Sequence, residues 1–428
     1  MSTLLLYGGH LIDPAAGVDA PADLVLKDGL VVEVAAPGKT KTPADEKLNL
    51  KGLIVAPGFI DLHVHLREPG QTHKESIATG TAAAAVGGFT AVCAMPNTRP
   101  VNDSPAVTRW MQDSERGAVV NVFPIAAATL GSQGEKLSDY QALRQAGAVA
   151  LSDDGKPILD DHIMREALAL AAKVGLTVIQ HAEDTKVSGT HPMNEGITSF
   201  KLGLRGQPAA SEWQMVERDV RLASQEGGRL HVAHVSTGKS LDMVRLGRAS
   251  KVNVTAEVAP HHFLFTEEAC ADYDTRYKMN PPLRSKADRE AILRGISDGT
   301  VDAIATDHAP HALYEKEVEF DKAAFGVTGL EVAVAASLTA LVHEKLITLK
   351  RLVEMLSTNP AKIVGLKGRG TLSVGSVADV TIFDPKKRWT YDVEKTRSRS
   401  KNCPYGGMEF KGKVRATIVG GKVVFSEL

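Results

Sequence analysis

Two short segments combine histidine with acidic or basic residues at spacings that could bind a metal. Residues 61–70 read DLHVHLREPG and residues 305–311 read ATDHAPH, and each segment ends an apolar run. Side chains alternate along a β-strand, so His63 and His65 point the same way and can share one metal ion. An isolated histidine is more often an ordinary core or loop residue. Here several clusters agree, which favours a metal site.

Other predicted strands also end in polar side chains that could act as ligands or contact a substrate. In chain order these residues are His63, His65, Asn97, Asp153, Asp154, His181, His234, Asp307, His308 and His311. Imidazoles and carboxylates fit zinc or a similar first-row metal, and the lack of a cysteine cluster argues against a structural zinc site. The strand pattern does not choose between Asp153 and Asp154.

The number of candidate ligands favours two metal ions over one. A two-metal centre, with ions about 3.5–4 Å apart bridged by a carboxylate and a hydroxide, uses six ligands naturally. Metal binding lowers the pKa of water to about 7 and so supplies hydroxide near neutral pH. Asp307, at the last strand, is then placed to transfer protons.

Arg67 and two asparagines indicate an acidic or amide-bearing substrate. A guanidinium forks onto a carboxylate with two hydrogen bonds, so Arg67 beside the metal ligands favours an acidic substrate, although a surface arginine is an equal alternative. Asn97 and Asn280 offer amide groups that could read a carboxylate, a ring imide or a ureide. Asn280, in KMNPPLR, could instead be a turn residue before proline.

The remaining histidines fit structural roles, and competing catalytic motifs are missing. His231 lies near the start of its strand, and packing is the better expectation for His261 and His262. Surface or local structural positions are expected for His10, His73, His162, His191 and His343. The sequence has no GxxxxGK[ST] loop, no HExxH and no convincing GxGxxG after a strand.

Eight strand and helix units in one run would position these residues. The predicted strands cover 54–65, 90–96, 119–126, 148–153, 176–182, 229–235, 252–258 and 301–306. Helices are predicted at 161–175, 211–228 and 285–299, with Ser211 and Ser285 as N-caps and Gly175 and Gly227 as stops. The pattern favours an α/β fold with a (β/α)8 barrel, whose strands carry active sites at their carboxyl ends, over an open doubly wound sheet.

Both ends of the chain favour short antiparallel strands that pair into one composite β-sandwich. Neither terminal block could bury a sheet face alone. The predicted division is therefore 1–53 and 367–428 for the sandwich and 54–366 for the barrel. The basic run KTRSRSK at 395–401 is expected to be a solvated connection.

Composition favours a globular cytoplasmic protein with a small-molecule partner. The chain has 428 residues, 43% of them hydrophobic, and a formal net charge of -1, which gives no global electrostatic argument for nucleic acid or membrane binding. Cys93, Cys270 and Cys403 lie far apart and are expected to be reduced thiols. No window reaches the roughly 20 apolar residues that span a bilayer, and no signal peptide is expected.

DLHVHLREPG and ATDHAPHALYEK together resemble the two signature segments of dihydroorotases, in the amidohydrolase superfamily. The resemblance extends to AMPNTRP, LSDDGKP, QHAED, HVAHVSTG, KMNPPLR and FGVTGLE. It implies a metal-bearing barrel with a composite β-sandwich. It also implies that His63 and His65 bind one zinc ion and that His181 and His234 bind a second. Asp307 is implied to be a metal ligand and the catalytic acid/base.

Many relatives bridge the two ions with a carboxylated lysine, whereas LSDDG resembles a bacterial branch that uses aspartate. The resemblance favours Asp154, with Asp153 as the fallback, and Lys156 lies past the strand end. The positions that it assigns to the substrate are His65, Arg67, Asn97, Asn280, His311 and the backbone of Phe325 and Gly326.

The implied reaction is the reversible interconversion of N-carbamoyl-L-aspartate and L-dihydroorotate in pyrimidine biosynthesis. The family suggests a homodimer and an association with aspartate transcarbamoylase. One rival is another cyclic amidohydrolase, such as a hydantoinase or allantoinase, against which the HLR triplet and HAPH argue. The other rival is an inactive scaffold partnering aspartate transcarbamoylase, but such proteins typically lose ligands, and this chain keeps every expected one.

Overall fold

The computed structural model describes residues 3–428. Within that range the strands are β1 (Leu4–Tyr7), β2 (His10–Asp13), β3 (Val18–Pro21), β4 (Asp23–Lys27), β5 (Leu30–Ala35), β6 (Glu46–Asn49), β7 (Ile54–Pro57), β8 (Phe59–Val64), β9 (Phe89–Ala94), β10 (Asn121–Ala126), β11 (Ala150–Leu151), β12 (Thr177–Gln180), β13 (Met193–Asn194), β14 (Gly206–Gln207), β15 (Arg229–Val232), β16 (Val254–Val258), β17 (Ala303–Ile304), β18 (Val380–Thr390), β19 (Glu409–Val419) and β20 (Lys422–Ser426).

Most of the α-helices lie between the first and last barrel strands, and the others follow the last one. They are α1 (Ile77–Val86), α2 (Pro105–Met111), α3 (Tyr140–Ala146), α4 (Asp161–Val174), α5 (Thr185–Ser188), α6 (Ile197–Leu202), α7 (Ala210–Glu226), α8 (Gly238–Ala249), α9 (Pro260–Leu264), α10 (Lys286–Ser297), α11 (Leu313–Lys316), α12 (Ala333–Ser337), α13 (Leu349–Val353) and α14 (Asn359–Ile363). None of the helices in residues 3–428 has the length and apolar character needed to span a membrane.

Eight parallel strands form the predicted barrel. Their order is β8, β9, β10, β11, β12, β15, β16 and β17, with each strand beside the next. The last connection back to β8 is made where the backbone N–H of His65 donates to the carbonyl of His308 at 2.9 Å. Buried Ile60, Leu62 and Ile179 belong to a cluster of apolar side chains contributed by several barrel strands. The barrel prediction is confirmed, and the open sheet is wrong.

The single strand predicted over 54–65 is wrong, because it is two strands in different sheets. β7 pairs with β2 and β18 of the terminal domain, whereas β8 begins the barrel. The chain divides at Gly58, whose N–H donates to the carbonyl of Asp379 at 2.8 Å. A Cβ atom at Gly58 would lie 2.1 Å from Thr90 Oγ1, so a side chain there would prevent this close approach.

The terminal segments build the predicted composite β domain. One sheet has the order β5-β4-β1-β6, and the other, β20-β19-β18-β7-β2-β3, joins strands from both ends of the chain. Leu6, Leu11 and Leu24 pack in one core with Val380 and Ile418. Each block therefore covers apolar surface that the other leaves exposed.

Helix boundaries follow local capping, with one correction. Ser285 caps α10 by accepting from the N–H of Asp288, and α4 and α7 stop at Gly175 and Gly227, whose φ angles are 70° and 69°. Ser211 is not the N-cap that we predicted. It lies inside the first turn of α7, which begins at Ala210, and its hydroxyl donates to the carbonyl of Pro208 at 2.8 Å.

Candidate active site: a histidine and aspartate cluster at the barrel mouth

The carboxyl ends of the barrel strands surround a pocket of about 230 Å³. Nearly all of the predicted ligands and substrate-binding residues line this pocket. Of the residues that the family resemblance assigns to the site, the exception is His63, which is only 1% exposed and lies in β8 beside the others. The barrel topology thus brings together residues that are far apart in the sequence.

The first half of the cluster consists of His63, His65 and Asp307. One potential ligand atom from each of the three buried residues lies within 4.8 Å of the other two. Nε2 of His65 lies 3.2 Å from Asp307 Oδ1, and Nε2 of His63 lies 3.6 Å from the same oxygen. The three atoms are close enough together to ligate one metal ion.

Asp154 connects this half to the second pair of histidines. Its Oδ1 lies 3.3 Å from His63 Nε2, 3.5 Å from His181 Nδ1 and 3.8 Å from His234 Nε2. Its Oδ2 lies 3.6 Å from His65 Nε2. One carboxylate therefore lies within 3.8 Å of all four imidazoles.

Three neighbouring candidates lie outside the cluster. Asp153 turns away and accepts hydrogen bonds from the backbone N–H (3.0 Å) and the hydroxyl of Thr129, while Lys156 is exposed. The ring of His308 lies against Glu75, with Nε2 at 3.3 Å from Oε2. His308 supports the barrel closure rather than facing the pocket.

The donor set fits a metal ion. Among the described residues, the buried Nε2 of His63 has no hydrogen-bond partner, although it faces two carboxylates. A buried polar atom left unpaired costs free energy unless a ligand satisfies it. Imidazole and carboxylate donors without cysteine suit zinc and neighbouring first-row metals. The cluster therefore has the properties of a metal-binding site.

A buried carboxylate that we did not predict orients His63. Glu257 Oε1 lies 3.2 Å from His63 Nδ1, and Oε2 lies 3.0 Å from His231 Nε2. Burial alone would raise the pKa of Glu257, but His231 and His63 lower it to about 2. A carboxylate on the far ring nitrogen directs the other nitrogen of His63 at the metal position. His231 thus has the structural role that we expected.

Polar side chains also hold His65 and His181, whereas Nδ1 of His234 has no hydrogen-bond partner among the described residues. His65 Nδ1 lies 2.9 Å from Asn97 Oδ1, and the amide of Asn97 donates to Asp154 Oδ2 at 3.1 Å. His181 Nε2 lies 3.1 Å from Glu183 Oε2, which also accepts from Asn280 at 2.8 Å. Glu183 was not predicted either, although it stands in the QHAED segment two residues after His181.

Arg67 and His311 form a cationic corner beside the cluster. Arg67 is 8% exposed, its Nε donates to the carbonyl of Pro310 at 3.0 Å, and Nη2 lies 3.2 Å from His311 Nε2. Burial lowers the pKa of Arg67 to about 10, so the side chain remains a cation at neutral pH. Burial and the charge of Arg67 lower the pKa of His311 to about 3, which keeps its ring neutral.

The backbone of Phe325 and Gly326 completes this corner. His311 Nε2 donates to the carbonyl of Phe325 at 2.8 Å. Gly326 has a φ of 138°, and a Cβ atom there would lie 2.8 Å from the carbonyl oxygen of Ala309. Glycine is therefore required for this close approach.

Three cluster residues adopt backbone conformations that side chains usually avoid. Arg67, His234 and Asp307 have φ angles of 62°, 31° and 47°. Such conformations cost free energy and persist where surrounding structure fixes them, as at functional sites.

Burial alone would raise the pKa of Asp307, but the His65 hydrogen bond and the charge of His63 hold it well below its ordinary value.

The fold is shared with structurally characterised amidohydrolases. An L-hydantoinase (dihydropyrimidinase) from Arthrobacter aurescens is similar with a TM-score of 0.89 at 25% identity, covering 100% of this chain and 97% of that one. A dihydropyrimidinase from Brevibacillus agri has a TM-score of 0.85 at 23% identity, covering 99% and 95%. Fold and site together define a cyclic amidohydrolase.

Sequence similarity identifies the family within this class. A family profile described as "Dihydro-orotase-like" matches residues 52–240. Proteins named dihydroorotase from Geobacter metallireducens and Solibacter usitatus are 50% and 49% identical, over 99% of this chain and 99% and 98% of their own lengths. The chain belongs to the dihydroorotase family.

Proposed function

We propose that the protein catalyses the reversible cyclisation of N-carbamoyl-L-aspartate to L-dihydroorotate, a step of pyrimidine biosynthesis. The observation that carries the proposal is the buried Arg67–His311 corner beside the histidine and aspartate cluster. A guanidinium can bind a carboxylate with two hydrogen bonds. The cluster would therefore act on a cyclic amide while the corner holds an acidic group of the same ring.

We propose that the cluster holds two zinc ions. His63, His65 and Asp307 would bind one ion, His181 and His234 the other, and Asp154 would contact both. When bound, the zinc ions supply Lewis acidity and lower the pKa of water to about 7. The donor set and the position of Asp154 between the two histidine pairs support this assignment.

Asp307 is the proposed proton carrier. Its lowered pKa keeps the carboxylate ionised, so in the hydrolytic direction Oδ1 or Oδ2 can accept a proton from the attacking water. The same carboxyl group can then deliver the proton to the amide nitrogen that leaves the ring. In the cyclisation direction the two transfers are reversed.

The remaining pocket residues would hold the ring in place for attack. Arg67, Asn97 and His311 are proposed to bind the exocyclic carboxylate, and His65 contacts the ring beside them. Asn280 and the backbone of Phe325 and Gly326 would form hydrogen bonds with the ring amides. All seven positions line the same pocket, and fixing the ring there lowers the entropic part of the barrier.

A hydantoinase-like activity is the second candidate, because hydantoinases share the fold. The buried cation at Arg67 counts against it, since a neutral ring would leave that charge without a partner. An inactive scaffold is a weaker candidate, because every ligand that the family resemblance implies lies in the cluster.

We also propose a cytoplasmic homodimer that can associate with aspartate transcarbamoylase. The family resemblance supports the assembly, as do apolar side chains exposed on the short helices α6 and α11. Phe200 and Ile197 are 86% and 72% exposed, and Tyr314 and Leu313 are 67% and 66% exposed. Three buried cysteines without disulfides agree with a reducing compartment. Mass photometry with and without the transcarbamoylase would test the assembly.

The first experiment is an assay of dihydroorotate hydrolysis by zinc-supplemented protein. A hydantoin and allantoin are assayed alongside, and the metal content of the same sample is recorded. We expect turnover selective for dihydroorotate. Preference for the hydantoin would favour the second candidate, and no turnover with no bound metal would favour the scaffold.

A further inference from the structure

The basic run at residues 395–401 is not a simple solvated connection. Side chains alternate along it, with Arg397, Arg399 and Lys401 exposed and Ser398, Ser400 and Asn402 buried. Only the basic side chains are solvated as we expected. We call residues 396–402 the strap, because their inward side chains bind the loops that follow β8 and β17.

The first half of the strap holds the loop that follows β8. The hydroxyl of Ser398 donates to Glu75, and the N–H of Arg399 donates to Glu75 Oε1 at 3.1 Å. The hydroxyl of Ser400 donates to the carbonyl of Lys74 at 2.6 Å. These bonds attach the strap to the loop after β8, which also carries Arg67.

Asn402 joins the two segments that form the rest of the cationic corner. Its Oδ1 accepts from the N–H of His311 at 3.0 Å, and its Nδ2 donates to the carbonyls of Ala309 and Gly326, both at 3.0 Å. Its own carbonyl accepts from the N–H of Thr328 at 3.0 Å. The side chain is buried, so water does not compete for these bonds.

We propose that Asn402 is a positioning residue for the substrate carboxylate, acting through His311 and the backbone at Gly326. This inference rests on the proposed function, in which those groups bind the substrate. Loss of the amide removes three of the hydrogen bonds that hold residues 309–311 against Gly326, although the N–H of Ala309 still donates to the carbonyl of Val327 at 2.8 Å. The bonds of the Asn402 side chain reach His311, Ala309 and Gly326, none of which is a proposed metal ligand.

The consequence is a specific kinetic effect. A misplaced carboxylate site weakens substrate binding, whereas the chemical step depends on the cluster, so KM changes more than kcat. We expect Asn402→Ala to raise KM for dihydroorotate by about tenfold or more, with kcat within about threefold of wild type. Bound metal should be unchanged.

Asn121 offers a matched control. Its amide donates to the carbonyl of Thr90 at 2.8 Å and to Asp379 at 3.2 Å, so it also ties the barrel to the terminal β domain. It is the first residue of β10 and lies at the opposite end of the barrel from the site. Asn121→Ala should lower the thermal midpoint without raising KM.

The experiment compares wild type, Asn402→Ala and Asn121→Ala in zinc-loaded full-length protein. KM, kcat, metal content and thermal midpoint are measured for each. Should Asn402→Ala be insoluble, Asn402→Ser, which keeps one hydroxyl, is assayed for the same rise in KM. A KM in the Asn402 variant equal to that of the Asn121 variant would overturn the inference, as would a fall in kcat with KM unchanged. A wild type that binds metal but does not turn over dihydroorotate would contradict the proposed function instead.

Discussion

Asp154 lies between the two pairs of histidines that we propose to hold two metal ions. It faces His63 and His65 on one side and His181 and His234 on the other. Asp154→Asn replaces one carboxylate oxygen with an NH2 group, which cannot ligate a cation. We expect metal affinity to fall by about a hundredfold or more, measured by competition with a chelator.

The neighbouring aspartate provides the control for this variant. Asp153 bonds to Thr129 and is buried, so Asp153→Asn should reduce stability but leave the bound metal in place. If Asp153→Asn lost the metal and Asp154→Asn kept it, the bridging role would belong to Asp153.

Asp307 should be needed for turnover but not for folding. Asp307→Asn cannot accept and return a proton, so we expect kcat to fall by about a thousandfold or more. The thermal midpoint and the circular dichroism spectrum should remain those of a folded protein. A variant that kept the full rate would remove the assigned role.

Arg67 should affect substrate binding. Arg67→Ala removes the cation that is proposed to hold the carboxylate, so KM for dihydroorotate should rise by about tenfold or more. Lysine at this position keeps the charge but loses the forked geometry, so its KM should lie between those of alanine and wild type. Unchanged KM and kcat in Arg67→Ala would contradict the carboxylate assignment.

At the scale of residues, the sequence predicted which residues form the site better than it predicted which other side chains they contact. His63 and His65 could be paired because strand periodicity dictates it, whereas periodicity did not choose between Asp153 and Asp154, for which only the family resemblance favoured Asp154. Glu257 and Asn402 were missed because their partners, His63 and His311, lie far away in the chain. Tertiary contacts of this kind leave no local pattern.

At the scale of elements, apolar periodicity located all eight barrel strands but not their limits. β11 and β17 each contain only two residues, and the predicted strand over 54–65 divides at Gly58. Apolar residues continue through that division because both sheets are buried there. A backbone approach such as that of Gly58 to Thr90 depends on packing and could not be predicted from the local sequence.

One buried carboxylate fixes the connection between β15, which precedes His234, and α8. Glu212 of α7 accepts from the N–H and hydroxyl of Thr237, both at 2.9 Å, and from Ser240 at 2.7 Å. Burial alone would raise the pKa of Glu212, but Arg284 and these hydroxyls hold it below its ordinary value. Glu212→Gln should lower the free energy of unfolding by about 3 kcal/mol.

The lowered pKa of Glu212 also predicts how the stability difference between wild type and Glu212→Gln depends on pH. Because the folded-state pKa lies below 4.5, the carboxylate contributes in full above pH 4.5 and loses its contribution as the pH falls. The difference in the free energy of unfolding between wild type and Glu212→Gln, measured by urea unfolding, should therefore become smaller below pH 4.5. Glu226 lies at the half-buried end of the same helix and pairs with Arg165 at 3.3 Å, so Glu226→Gln should change stability by no more than about 1 kcal/mol. A difference in the free energy of unfolding that became larger in acid would contradict the lowered pKa.

At the scale of the molecule, the metal site should stabilise the fold. Four buried imidazoles and two carboxylates lie close together, and a bound cation offsets their desolvation. Removing metal with a chelator should lower the thermal midpoint and abolish turnover, and zinc should restore both. Asp154→Asn should show a smaller shift with the chelator, since it has less metal to lose.

The predicted division at residues 53 and 366 stays a proposal. β7 is hydrogen-bonded to strands of both terminal blocks, whereas β8 follows it after one residue. Limited proteolysis would test the division, because cleavage should be concentrated in exposed segments between the barrel and the β domain. Cleavage within the barrel would contradict it.

The sheet that joins β2 and β7 to β18 also constrains how the protein is made. β18 and the strap emerge from the ribosome long after the barrel strands have been synthesised. Until then β7 lacks one neighbour and the corner around His311 lacks Asn402. We expect a nascent chain to bind metal before it can hold its substrate, so catalysis would be the last property that the growing polypeptide acquires.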